Sequence, residues 1–319
     1  MNRKLNMNNI ELIGNKQLEK LSFYEREIYL AKIRQTCLKS LCKKQSTINE
    51  LLKKAYPLMR NYDYEIIGEE NVGSDAGYLF LCNHSNSHDF FTAQEMGAAV
   101  GRNVSVFAAN DDLSLLSKMI FGLADSTFID RNDSKSSRTG ITTMASKLMQ
   151  GKSGVIFAEG TWNLHPYKPM QQIKIGAAYI SAISQTKIIP TIFEYVEVPD
   201  LVDKEKNLYK KCVICFGKEI IIDQNQNLIS QTLMIQKTIE ELRLELWKKL
   251  DIKKDYTLLA DKQRYVNHTY LKKFDAFGFT YDSESEQKHL FSSINLPVEN
   301  EYILTSNNEF IPGVTLRRR

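Results

Sequence analysis

The sequence predicts an α/β fold, with a mostly parallel central sheet flanked by helices, N-terminal amphipathic helices and a C-terminal extension. Three observations carry that expectation. Between Tyr64 and Phe216, short apolar runs of strand length alternate with helical patterns, the signature of successive βαβ units. The 319-residue chain is 43% hydrophobic and 25% charged with 15 Gly and 7 Pro, a globular composition with enough apolar residues for one large core. Two polar clusters follow directly on apolar runs, where open sheets of this kind bind ligands. The expected organisation is an N-terminal helical segment at 1–63, a core at 64–229, and a C-terminal helix with its extension at 230–319.

From Leu18 to Cys42 the residues Leu18, Leu21, Ile28, Ile33, Cys37 and Leu41 recur at near-helical spacing among Lys, Arg and Glu, which predicts an amphipathic helix. A second helix is expected from Thr47, where "TINE" offers a capping box with Glu50, and Pro57 kinks or ends it. Such helices can pack on a core or lie on a bilayer surface. The predicted strands are "YLFLC", "VSVFAA", "STFID", "GVIFAEG", "KIIPTIFEYVEV" and "CVICFG", with helices over Ser137–Met149 and Lys174–Ser184. Ser230 to Leu250 reads as a further amphipathic helix through Leu233, Ile239, Leu242, Leu246 and Leu250. Asp251 to Arg319 is aromatic-rich yet polar, and its pattern suggests no function.

Charge and cysteine usage narrow the function classes. A formal net charge of +4 is small for 319 residues, so no nucleic-acid partner is expected, while Lys43, Lys44 and Arg317 to Arg319 could meet anionic lipid. No apolar run approaches the ~18–20 residues of a membrane span, and the N-terminus has no apolar signal-peptide core. Five cysteines without framework spacing argue for a reducing compartment. Cys212 and Cys215 form a CxxC inside an apolar, β-branched run with no second ligand pair, so they read as strand residues. The expected location is the cytoplasm, with peripheral contact to the cytoplasmic face of the membrane as a variant.

The first polar cluster is "NHSNSHDFF", Asn83 to Phe91. His84 and His88 are four apart and could share a helix face in a metal site, but the glutamate of H-E-x-x-H is replaced by Ser85 and no third ligand stands out. The alternative pairs His84 with Asp89. A five-residue offset leaves two side chains about 140° apart on a regular helix, so they meet only if a tight turn joins a strand end at His84 to a helix start at Asp89. The carboxylate would then fix the ring's tautomer and stabilise the imidazolium, which makes a general base with its orienter. Alone, H-x4-D is a weak signal; a capped polar turn would look the same.

Its company strengthens it. "STFIDRNDS" (Ser126 to Ser134), "GVIFAEGTWN" (Gly154 to Asn163) and "KIIPTIFEY" (Lys187 to Tyr195) follow in order. The four blocks resemble the glycerolipid acyltransferase family, over roughly Tyr64 to Asp223. The resemblance implies that Asn83, His84 and Asp89 form the family's N-H-x4-D block, with histidine as base and aspartate as partner. It implies that Arg131 of "FIDR" holds an anionic group of the acceptor. Phe157, Glu159, Gly160 and Thr161 match F-P-E-G-T-R, Ile189 and Pro190 match the fourth block, and Lys174 and Gly176 match a lysine and glycine common after the third. The donor so implied is an acyl thioester, acyl-CoA or acyl carrier protein; the acceptor is a hydroxyl of a lysophospholipid, glycerol phosphate or related compound. Neither a covalent acyl-enzyme, a metal nor a cofactor is implied, and the chain offers no G-x-S-x-G elbow.

Two departures bear on the acceptor. Trp162 stands where an arginine usually follows E-G-T, and Ala158 where a proline precedes the glutamate. A lost guanidinium removes charge-assisted hydrogen bonds worth roughly 1.5–3 kcal/mol each. "ANDDL", with Asp111 and Asp112, occupies the place of a basic "KKEL"-like segment. Anion recognition is therefore expected to be thinner than in an enzyme that forms phosphatidic acid. The rival classes are a non-catalytic acyl-lipid binding protein of the same fold and a metal hydrolase using His84, His88 and Asp89.

Overall fold

The apolar run Leu79–Cys82 is buried at all four positions, as expected of a strand covered on both faces of a sheet. The computed structural model describes residues 24–33, 62–74, 77–86, 88–109, 115–130, 133–160, 163, 169–197 and 210–252, with 6–7, 10–11, 17, 20–22, 302–304 and 310–312. That run lies in the middle of a seven-stranded sheet. The strands are β1 (Tyr62–Ile67), β2 (Leu79–Cys82), β3 (Val104–Ala109), β4 (Thr127–Ile129), β5 (Ser153–Phe157), β6 (Ile188–Glu197) and β7 (Lys210–Phe216), in spatial order β1-β7-β6-β2-β5-β3-β4. From β6 to β4 all neighbours are parallel; β7 runs antiparallel to β6, and β1 runs parallel to β7. Two short antiparallel ladders, Asn6–Met7 with Ile10–Glu11 and Tyr302–Leu304 with Phe310–Pro312, are separate from this sheet.

Helices connect the parallel strands and fill both faces. They are α1 (24–33), α2 (Asp89–Ala99), α3 (Leu115–Leu123), α4 (Ser134–Met149), α5 (Gly176–Ser184) and α6 (Leu228–Lys249). Period-2 alternation sends Leu79 and Leu81 of β2 to one face and Phe80 and Cys82 to the other. The first face packs residues of α1, α4, α5 and α6, among them Ala31, Met144, Ile180 and Ile239. The second packs α2 and α3 through Phe90, Ala93, Met96 and the partly buried Phe121. Asp133 caps α4 by accepting from the Lys135 N–H, and Asn227 caps α6 by accepting from those of Ile229 and Ser230. Each such cap typically stabilises by about 1 kcal/mol.

The six runs expected as strands are strands, and the helices expected over Ser137–Met149, Lys174–Ser184 and Ser230–Leu250 begin within three residues of their predicted starts. β1 escaped the pattern because Asp63 and Glu65 interrupt "YDYEII", as an edge strand with only one neighbour allows. Pro190 sits inside β6 without breaking it, because pairing with β7 begins one residue later at Thr191. Cys212 and Cys215 are buried in β7 as free thiols.

The described part of the first amphipathic helix, α1, docks on the core. Ala31 is fully buried with its carbonyl accepting from Ser146 Oγ at 2.7 Å, and buried Glu27 pairs with Arg138 of α4. The helix expected from Thr47, and most of the extension after Ile252, lie outside the described residues. Among the described residues no helix is long and apolar enough to cross a membrane.

Candidate active site

Two chain segments, beyond the carboxyl ends of β2 and β5, converge beside the C-terminal half of β6. The turn after β2 carries the first cluster. Asn83 is fully buried; its amide donates to the Phe193 carbonyl at 3.1 Å and accepts from the Phe193 N–H at 2.8 Å. That reciprocal pair prolongs the β2–β6 contact by one side chain and fixes where the turn begins. Asn86 then folds the turn. Its Oδ1 accepts from the His88 N–H at 3.0 Å, and its carbonyl accepts from the Asp89 N–H that opens α2.

This turn brings His84 and Asp89 together: Nδ1 lies 2.6 Å from Oδ2. The same oxygen accepts from the backbone N–H groups of Ser85 at 2.8 Å and Asn86 at 3.0 Å, and Oδ1 accepts from the Tyr195 hydroxyl at 2.5 Å. A carboxylate that already takes two amides and a phenol is an acceptor, and its place in the first turn of α2 suits a negative charge. The proton of the pair therefore sits on Nδ1, which leaves Nε2 as the ring's basic nitrogen. Asp89 is 1% exposed whereas the His84 side chain is 21% exposed, so the ring reaches the surface and its orienter does not. Phe157, the last residue of β5, stacks on the imidazole with centroids 4.5 Å apart.

Glu159 holds the second segment against the first. Buried at 3% exposure, it accepts from the His84 N–H at 3.0 Å through Oε1 and from the Gln171 N–H at 2.7 Å through Oε2. Asn163, also buried, donates its N–H to the His84 carbonyl. Gly160 has φ +70°, and a Cβ there would come within 3.0 Å of Lys174 Nζ. The lysine chain thus lies across the glycine, and its own N–H donates to the Ala158 carbonyl. Lys174 is exposed just ahead of α5.

Arg131, Thr161 and Trp162 lie outside the described residues, as do Asp111 and Asp112. His88 turns away from His84: its Nδ1 is 3.2 Å from Asn86 Oδ1 and its ring meets the edge of Tyr62. Among the described residues no three His, Cys, Asp or Glu side chains are grouped to hold a metal ion.

Several supporting residues carry no motif. Tyr195 lies inside the strand run "IFEYVEV", where it shares a face with Phe193, and no motif marks it. Burial and the neighbouring Asp89 charge push its hydroxyl well above the usual phenol range, so it stays protonated. Arg243 of α6 pairs with Glu194 of β6 at 2.8 Å, and donates to the Pro169 carbonyl at 2.7 Å, in the loop after β5. Gln236 of the same helix accepts from the Ile173 N–H. Helix α6 thereby holds the loop that ends at Glu159's second partner.

Residues 63–194 match the protein family described as Acyltransferase. No curated protein matches the chain. Among solved structures, that of the 1-acyl-sn-glycerophosphate (LPA) acyltransferase PlsC from Thermotoga maritima aligns with 72% of this chain and 86% of that chain, at 13% identity and a TM-score of 0.46.

Proposed function

We propose that this chain, whose residues 63–194 match the acyltransferase family, is an acyltransferase that moves a fatty acyl group from an acyl thioester to a hydroxyl acceptor with His84 as general base and Asp89 as its orienter. The observation that carries the reading is the 2.6 Å contact of His84 Nδ1 with a buried carboxylate, which leaves Nε2 basic beside the surface. A hydroxyl is a weak nucleophile at neutral pH, and a positioned base typically contributes ~10²–10⁴-fold. Nε2 takes the acceptor's proton as its oxygen attacks the thioester carbonyl. The C–O bond forms, the C–S bond breaks, and the proton passes to the departing thiolate. The donor is acyl-CoA or acyl carrier protein.

The other residues take roles around that step. Asn83 and Glu159 bond backbone partners on the neighbouring segments and set the position of His84. Gly160 gives Lys174 its path, and Lys174, exposed beside the start of α5, suits an anionic group of donor or acceptor. Arg131, Thr161 and Trp162 are assigned to the acceptor by the family pattern. With Trp162 in the arginine's place, the acceptor is a lysolipid with a sugar or polyol headgroup, or another hydroxyl compound, rather than a lysophosphatidic acid. The work is done in the cytoplasm, with peripheral contact to the cytoplasmic face of the membrane.

Incubating the protein with a radiolabelled long-chain acyl thioester and a panel of lysolipids, glycerol 3-phosphate and polyol acceptors tests this. Labelled ester in at least one phosphate-free acceptor is expected. Robust acylation of 1-acylglycerol 3-phosphate alone would overturn the acceptor assignment. Donor that binds without any turnover would make the protein an acyl-lipid binder instead.

A further inference from the structure

Behind Asp89 the second face of the sheet carries a row of polar side chains in otherwise apolar surroundings. Tyr64 of β1 stands opposite Cys212 of β7, and Cys212 stands opposite Tyr195 of β6. Three adjacent strands therefore point one residue each at the same place. Thr92, one turn into α2 and fully buried, covers that row. Its Oγ1 lies 2.9 Å from the Tyr195 hydroxyl and 3.4 Å from that of Tyr64. The Tyr62 ring meets the edge of Tyr195 at 4.9 Å, and its hydroxyl accepts from Asn86 at 3.1 Å.

The direction of this chain follows from its end. Asp89 can only accept, so Tyr195 donates to Oδ1. The Tyr195 oxygen is then the acceptor for the Thr92 hydroxyl, and Thr92 Oγ1 for the more distant Tyr64. Donors linked in this way polarise one another toward the carboxylate. Among the described residues Tyr195 is the donor to Oδ1, whereas Oδ2 serves His84 and two backbone amides. The phenol thus pins the carboxylate's rotation and draws off part of its charge.

We propose that Tyr195 is a positioning residue for the His84–Asp89 pair, and that Thr92 relays to it. The proposal rests on the reading of His84 as general base. Without the phenol, the carboxylate concentrates its charge on the Nδ1 proton and favours the imidazolium, so more of the base is protonated at a given pH. The acid limb of activity then moves to higher pH, and the loosened carboxylate lowers turnover while leaving substrate affinity largely alone. The titratable groups around the pair are Tyr62 and Tyr64 from β1, Cys82 from β2, His88 ahead of α2 and Glu95 within it, Glu159 after β5, Tyr195 from β6 and Cys212 from β7, while Glu194 lies on the opposite face of the sheet with Arg243. The phenols and thiols among them are pushed up by burial and stay neutral across the working range.

The test compares wild type with Tyr195→Phe and the near-isosteric Thr92→Val by acyl-transfer kinetics against pH. The full-length protein is also followed by NMR through the His84 Nδ1–H resonance, which needs no substrate. Tyr195→Phe is expected to lower kcat roughly tenfold, a part of the ~10²–10⁴ a base supplies. KM should change little, the acid limb should rise, and the Nδ1–H resonance should move downfield; Thr92→Val should shift both readouts the same way, but less. A fall in kcat with the acid limb and the resonance unmoved would make the role merely structural and overturn the proposal. A resonance that shifts in the variants, while wild type transfers no acyl group, would uphold the coupling and refute the catalytic reading beneath it.

Discussion

At the scale of single residues, the site depends on acceptors placed where backbone donors need them. Glu159 is the clearest case, because its two oxygens each accept from a different backbone N–H, those of His84 and Gln171. Glu159→Gln keeps the shape but offers one acceptor oxygen and turns an NH2 toward a donor. The buried N–H so orphaned costs roughly 1–3 kcal/mol. We therefore expect the variant to melt lower and to lose kcat, although Glu159 need not touch substrate; a melting temperature and kcat equal to wild type would show the brace to be dispensable. Legibility at this scale was uneven. His84, Asp89 and Glu159 stood out because each follows an apolar run in a compact polar turn. Asn83's reciprocal bond to Phe193 and Tyr195's bond to Asp89 join residues about 110 apart, and no local spacing can announce such partners.

Elements bring those residues together, and α6 is the one whose part the sequence conceals. Its amphipathic pattern announces a helix but not that Arg243 reaches Glu194 of β6 and the Pro169 carbonyl at once. Both charges are buried, at 6% exposure each. Removing one partner of such a pair typically costs about 3–5 kcal/mol, whereas apolar replacement of both is often neutral or better. Arg243→Met alone should therefore destabilise strongly in urea, and Arg243→Met with Glu194→Leu should recover most of that stability. The double variant still lacks the bond to Pro169, so its activity should stay low; recovery of activity along with stability would mean that α6 does not hold the loop. Strand β1 gives the converse lesson. Its charged residues disguise an edge strand, although Tyr62 and Tyr64 on it face the site.

Across the whole molecule, the parallel arrangement from β6 to β4 and the helices on both faces followed from the alternation of apolar runs, since strands buried on both sides must be apolar throughout. The β6–β7 reversal did not, because an antiparallel neighbour leaves no mark on a buried strand. One global consequence is alkaline instability. Burial pushes Tyr62 up to about 12, and Tyr64 and Tyr195 rise as well. Phenols in the unfolded chain ionise near 10, so above that pH the unfolded state sheds protons that the native state keeps. Stability should be independent of these groups below about pH 10 and fall above it, by about 1.4 kcal/mol per pH unit for Tyr62 up to its folded value. Urea unfolding at pH 8 and pH 11 should differ accordingly, with a smaller difference in Tyr62→Phe; equal stability at both values would contradict the burial of these hydroxyls. The most direct test of the account is the rate of labelled ester formation by wild type and His84→Gln, with matched folding checked by circular dichroism. A loss of about 10²–10⁴-fold in the variant is predicted, and turnover within a few-fold of wild type would contradict His84 as the base.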